Sequence, residues 1–159
     1  MTNRTASPSD VAPIRRLPLL LVTLLCVAWT AAAWAAGPST QIDNARIRLL
    51  PGDLPLAGYF ELTNNGQHTL TLTGASSPAF RRVMMHHSVH QNGQDRMLPV
   101  AKMTVAPGKT IRFAPGGYHL MLMHRNRTLH VGDSVPIRLH FASGHDLEVK
   151  FKVGGAGIQ

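Results

Sequence analysis

Apolar and polar residues alternate along much of the chain from residue 42 onward, and no stretch of useful length carries a helical stripe. Over residues 146–153, Leu147, Val149, Phe151 and Val153 point one way and Glu148, Lys150 and Lys152 the other. Over residues 134–141, Val135, Ile137, Leu139 and Phe141 alternate with Pro136, Arg138 and His140. Residues 69–73 and 109–113 repeat the pattern around Leu70, Leu72, Ile111 and Phe113. Further strands are predicted over residues 42–50, 57–63, 80–90 and 119–123. Turn residues punctuate them at Pro51-Gly52-Asp53, Asn64-Asn65-Gly66, Asn92-Gly93, Pro107-Gly108, Pro115-Gly116-Gly117, Gly132-Asp133 and Ser143-Gly144. Short strands, each with one apolar face, predict a small antiparallel sandwich or barrel. Pro136, on the polar side of its strand, has no N–H to give a ladder and predicts an edge or a bulge.

The N-terminus breaks this pattern. Arg15 and Arg16 precede an uncharged apolar run over residues 17–36, and Ala33-Trp34-Ala35 supplies a small-x-small cleavage site. The expected organisation is a signal peptide over 1–35, one β-sandwich domain over 36–153 and a flexible tail over 154–159. An uncleaved membrane anchor is the alternative, since the run is long enough to span a bilayer. Lipidation at Cys26 is disfavoured, because bulky Leu25 stands where a small residue is needed.

Cleavage removes the one cysteine and leaves 13 basic and 7 acidic residues. The expected setting is an oxidising compartment outside the cytoplasm, where a cysteine-free chain is immune to thiol oxidation. The basic residues are spread, without runs or interleaved aromatics, so a nucleic-acid partner is not expected. They suit a solvated face or a surface for an acidic partner. So few acids leave little for acid–base chemistry, and neither a Ser-His-Asp set nor a carboxylate pair is legible. The chain reads as a binding protein, not an enzyme.

What remains is an uneven distribution of sulfur and imidazole. All six methionines after Met1 lie between Met84 and Met123, with five of the nine histidines between His86 and His124. Strand alternation puts His119, Met121 and Met123 on one face, and Met84, His86 and Ser88 on one face of another strand. Met97 follows the Asn92-Gly93 turn and can fold back on the preceding strand. Two such strand ends plus Met97 can supply a shell of two nitrogens and two sulfurs, all neutral. Thioether and imidazole favour Cu(I); zinc rarely takes thioether, and blue-copper centres need a thiolate that is absent. Neutral ligands that release their ion suit transport better than redox catalysis.

The spacing His86, ten residues, Met97, twenty-one residues, His119, one residue, Met121 is the H-x10-M-x21-H-x-M pattern. With it stand Gly58-Tyr59-Phe60-Glu61-Leu62-Thr63-Asn64, Pro115-Gly116-Gly117-Tyr118-His119-Leu120-Met121 and Val131-Gly132-Asp133. In these features the chain resembles the periplasmic copper chaperones called PCu(A)C over residues 42–153. The resemblance implies an all-β, cupredoxin-like, Greek-key sandwich. It implies Cu(I) held by His86, Met97, His119 and Met121, and delivery toward the Cu(A) centre of cytochrome c oxidase, often beside a Sco-type thiol protein. The Gly-Gly-Ala-Gly-Ile-Gln ending lacks the Met- and His-rich tail of some relatives. Copper buffering, or a sandwich interaction domain without metal, are the alternatives.

The neighbours divide. Met85 and Met103 are expected in the core, and Met84 and Met123 either line the site or pack. His87 and His90 are expected to be exposed, with a secondary Cu(II) site as the alternative. His68, His124, His130, His140 and His145 are expected on the surface.

Overall fold

The computed structural model describes residues 39–91 and 93–157; the expected leader over 1–35 and the last two residues lie outside them. Every regular element among the described residues is a strand. These are β1 (Thr40–Arg48), β2 (Leu56–Asn64), β3 (Leu70–Ser76), β4 (Phe80–Gln91), β5 (Gln94–Pro99), β6 (Met103–Val105), β7 (Thr110–Phe113), β8 (Tyr118–Arg125), β9 (Ser134–Phe141) and β10 (Asp146–Gly154). Their order is β5-β4-β8-β7-β2-β1-β10-β9-β3-β6, with β8 also pairing β2. Contact between β3 and β4 folds the sheet over its apolar face. The expected all-β, cupredoxin-like sandwich is what the chain forms.

Alternation fills the core. Val135, Ile137, Leu139 and Phe141 of β9 are buried, as are Phe151 and Val153 of β10 and Leu120 and Leu122 of β8. Phe60 stacks on Phe113 at 4.3 Å and meets Phe151 edge-on at 5.7 Å. A Cβ at Gly58 would lie 3.3 Å from the Leu120 Cβ, so glycine lets β2 close on β8. A polar side chain is also buried there: Asn64, 2 % exposed. Its Nδ2 donates to the carbonyls of His68 and Val105, both at 2.8 Å, and its Oδ1 accepts from the Gly66 N–H at 3.0 Å.

The ladder differs from a purely antiparallel one in two places: β1 runs parallel to β10, and β7 touches β8 in parallel at Phe113 and Tyr118. β5 has no alternating signal, and all six of its residues are exposed; it forms because the turn at Gly93 (φ +73°) returns the chain along β4. Pro136 lies in an interior strand, but the β3 pairing stops at Arg138, so the strand is locally an edge there. β10 continues to Gly154, which pairs with Arg48.

Candidate metal centre

The site is built on the outer face of the β5-β4-β8-β2 part of the sheet. Residues opposite each other in a ladder share a face, and the register lines them up in rows. His86 stands opposite His119, and Met84 opposite Met121. Met97 stands opposite Ser88, two residues along β4 from His86. Leu120 and Leu122, on the other face of β8, hold the strand in the core. The turn at Gly116 (φ +76°) brings the chain into β8 so that His119 is its second residue.

The two imidazoles meet edge to face with ring centroids 5.9 Å apart. A metal–nitrogen bond of about 2 Å plus about 1 Å from nitrogen to ring centre puts one ion about 3 Å from each centroid. That separation leaves room for one ion between the two rings. His119 is 6 % exposed. Its Nδ1 lies 3.2 Å from the Gly117 carbonyl, to which it donates as N–H, leaving the Nε2 lone pair free. A ring nitrogen tied to a backbone carbonyl is the usual support of a metal-binding histidine. The Nδ1 of His86 is buried with no hydrogen-bond partner. A cavity of about 240 Å³ is walled by Met97, His119 and Met121, with Arg48, Tyr59 and Ser88 around them. His86 flanks it through its contact with His119.

Three arginines stand on this face. Arg48 stands in one ladder row with Ala57, Met121 and Met84. Arg82 stands opposite Met123, and the Arg46 guanidinium lies 5.5 Å over the Tyr59 ring. Among the described residues none of these three arginines is within ion-pair distance of a carboxylate. Burial, then the like charge of protonated His119, then Arg82, hold His86 below the ordinary histidine range. The folded chain therefore binds fewer protons there than the unfolded chain. His86's contribution to stability is complete above the ordinary value of 6.5 and is lost as pH falls below it. Cu(I) needs neutral imidazole. The expected affinity profile is flat from pH 8 to about 6 and falls below that; a flat profile down to pH 5 in a chelator competition would argue against imidazole ligands.

The remaining side chains sort by strand face. Met85 and Met103 are buried in the core, as expected. Met84 shares a row with Met121 and Met123 a row with Arg82, both half-buried on the site's face. His87 departs from expectation: it is half-buried and stacks on Tyr118 at 4.2 Å, on the opposite face of β4. His90 is exposed and its Nδ1 lies 2.7 Å from Asp95 Oδ1. Arg48, Tyr59 and Ser88 carried no signal in the sequence, because only the pairing of β1, β2 and β4 with their neighbours brings them to the cavity.

The methionines make the face testable by oxidation. Met97 is 58 % exposed, whereas Met85 and Met103 are 5 % and 9 % exposed. Peroxide should convert Met97 to sulfoxide first and the buried Met85 and Met103 last. Prior copper loading should slow oxidation of Met97 and Met121 and leave Met103 unchanged, as read by peptide mass spectrometry. Equal rates with and without copper would count against sulfur ligation.

Several known proteins share this fold. The apo PCuAC domain of PmoF2 superposes with a TM-score of 0.64 at 21% identity, covering 77% of this chain and 94% of that domain. The copper-bound form of the same domain gives 0.61 at 21% identity, covering 74% and 94%. The solution structure of CuI-DR1885 from Deinococcus radiodurans gives 0.60 at 29% identity, over 80% of this chain and 85% of that one. "Putative lipoprotein Lxx21020" of Leifsonia xyli subsp. xyli is 29% identical over 147 residues, 90% of this chain and 86% of that protein. The family model described as "Putative lipoprotein LpqE-like" matches residues 40–153, and the chain belongs to this LpqE-like family.

Proposed function

We propose that this protein binds Cu(I) through His86, Met97, His119 and Met121 outside the cytoplasm and passes it to an acceptor protein. The observation that carries the reading is the convergence of two imidazoles and two thioethers on one sheet face, with His119 anchored at Nδ1 and free at Nε2. The copper bound by the PmoF2 domain and by DR1885 supports the choice of metal. The leader, and the lipoprotein names of the family and of the Leifsonia protein, support export. A membrane-held form through an uncleaved leader fits the same setting.

The chemistry of the face suits transfer rather than turnover. Neutral sulfur and nitrogen donors hold Cu(I) without a thiolate. The bound ion and the unpaired arginines carry the same sign, which favours release to an anionic acceptor. The Cu(A) subunit of cytochrome c oxidase, directly or through a Sco-type thiol protein, is the acceptor we propose. The test is a titration of the purified protein with Cu(I) against a competing chelator, followed by mixing of the loaded protein with a soluble Cu(A) domain. One tight ion per chain, and copper appearing on the acceptor, are expected. Tight binding with no transfer to any thiol-bearing acceptor would replace delivery by buffering, and absence of tight binding would end the copper reading.

A further inference from the structure

A second set of reactive side chains lies on the other half of the sheet, on β3, β9 and β10. His140 of β9 stands opposite Asp146 of β10 on one side and Gly74 of β3 on the other. Its Nδ1 is 2.8 Å from Asp146 Oδ1, and its Nε2 is 2.8 Å from the Ser76 hydroxyl oxygen. An ionised carboxylate only accepts hydrogen bonds. Asp146 therefore fixes the proton of neutral His140 on Nδ1 and leaves the Nε2 lone pair facing Ser76, whose O–H donates to it. From this geometry we infer that Ser76 is a nucleophile for activated acyl esters, with His140 as its general base and Asp146 as the group that orients the base.

The surroundings suit an incoming ester. Ser76 is exposed and borders a cavity of about 360 Å³, lined also by Ser77, Pro78, Pro136, Arg138 and Glu148. Arg138 presents a guanidinium there, held 3.4 Å from Glu148, and supplies positive charge for the oxygen that becomes negative as the carbonyl is attacked. Gly74 leaves open space beside His140, since nothing lies within 4 Å of where its Cβ would be. The Ser77 hydroxyl is committed to the Pro136 carbonyl at 2.6 Å and does not compete. His90 shows the contrast: it has a carboxylate on Nδ1 but no hydroxyl partner among the described residues. Asp146 is 45 % exposed, so it acts by fixing tautomer and ring orientation more than by stabilising imidazolium.

The step balances without a co-reactant other than water. Ser76 Oγ bonds to the ester carbonyl carbon as its proton moves to His140 Nε2. The carbon–oxygen bond to the alcohol then breaks, and His140 returns the proton to the departing oxygen. Water, deprotonated by the same nitrogen, then adds to the acyl carbon; the bond to Ser76 Oγ breaks, His140 returns the proton to that oxygen, and the acid leaves.

The test uses p-nitrophenyl acetate as probe on the copper-free purified protein, with release of nitrophenol and peptide mass spectrometry as readouts. The wild type should carry an acetyl group on Ser76. Ser76→Ala should remove it and lower the acylation rate at least about tenfold, and His140→Gln should do the same. Asp146→Asn should give a smaller loss. Unchanged melting temperature and Cu(I) affinity in all three would show that the fold and the copper face are intact. Ser76→Ala reacting at the wild-type rate overturns the inference, and so does acetyl found only on lysines. Loss in His140→Gln alone would mean direct attack by imidazole and would equally overturn it.

Discussion

Replacing His119 by alanine is expected to weaken Cu(I) binding by at least about 100-fold. Removing only the partner of a ligating group typically costs 10–100-fold, and here the proposed ligand itself is lost. A hundredfold corresponds to about 2.7 kcal/mol. The fold should survive, because the Gly117 carbonyl that His119 engages also accepts the Ser88 N–H at 3.0 Å. Met97→Leu removes the sulfur while keeping the bulk and should weaken binding less, since Met97 sits on an exposed edge strand. His90→Ala should leave affinity unchanged. A chelator competition in which His119→Ala matches the wild type would remove the metal centre from this face.

The second large effect is on stability. Asn64→Ala should lower the folding free energy by about 2–4 kcal/mol, because the carbonyls of His68 and Val105 and the N–H of Gly66 lose their partner together. For a domain of this size that is a fall in melting temperature of about 10 °C or more. The neighbouring Asn65→Ala, which loses one exposed bond to Gln41, should change it little. Thermal melts of the two variants decide the matter; equal midpoints would mean that Asn64 is not the clamp between the β2 end and the β6 strand.

Most strands were legible because alternation reports burial directly: every second residue of β9 is buried, and β10 follows once it enters the core at Phe151. β5 was not, because an edge strand exposed on both faces needs no apolar phase. Half of the candidate metal face was also legible. Phase alone placed His119 with Met121 and Met84 with His86. It said nothing of which strands pair. The same limit hid Ser76, His140 and Asp146, since Ser76 and His140 are 64 residues apart in sequence and meet only through the β3–β9 ladder. His87 misled for a related reason. Nothing in its own strand shows that Tyr118 will stand opposite and stack on it.

By itself, then, the sequence determined the all-β class, the turns, which side chains share a strand face, and a donor set of neutral sulfur and nitrogen. These follow from local rules: the two-residue period of a strand, the backbone freedom of glycine, the softness of thioether. The tertiary structure decided the register of β4 against β8, which sets His86 opposite His119. It also placed Arg46, Arg48 and Arg82 around the candidate metal face and aligned Ser76, His140 and Asp146 across three strands. Register is a property of a pair of strands, fixed by how both bury their apolar faces at once, and no single strand encodes it.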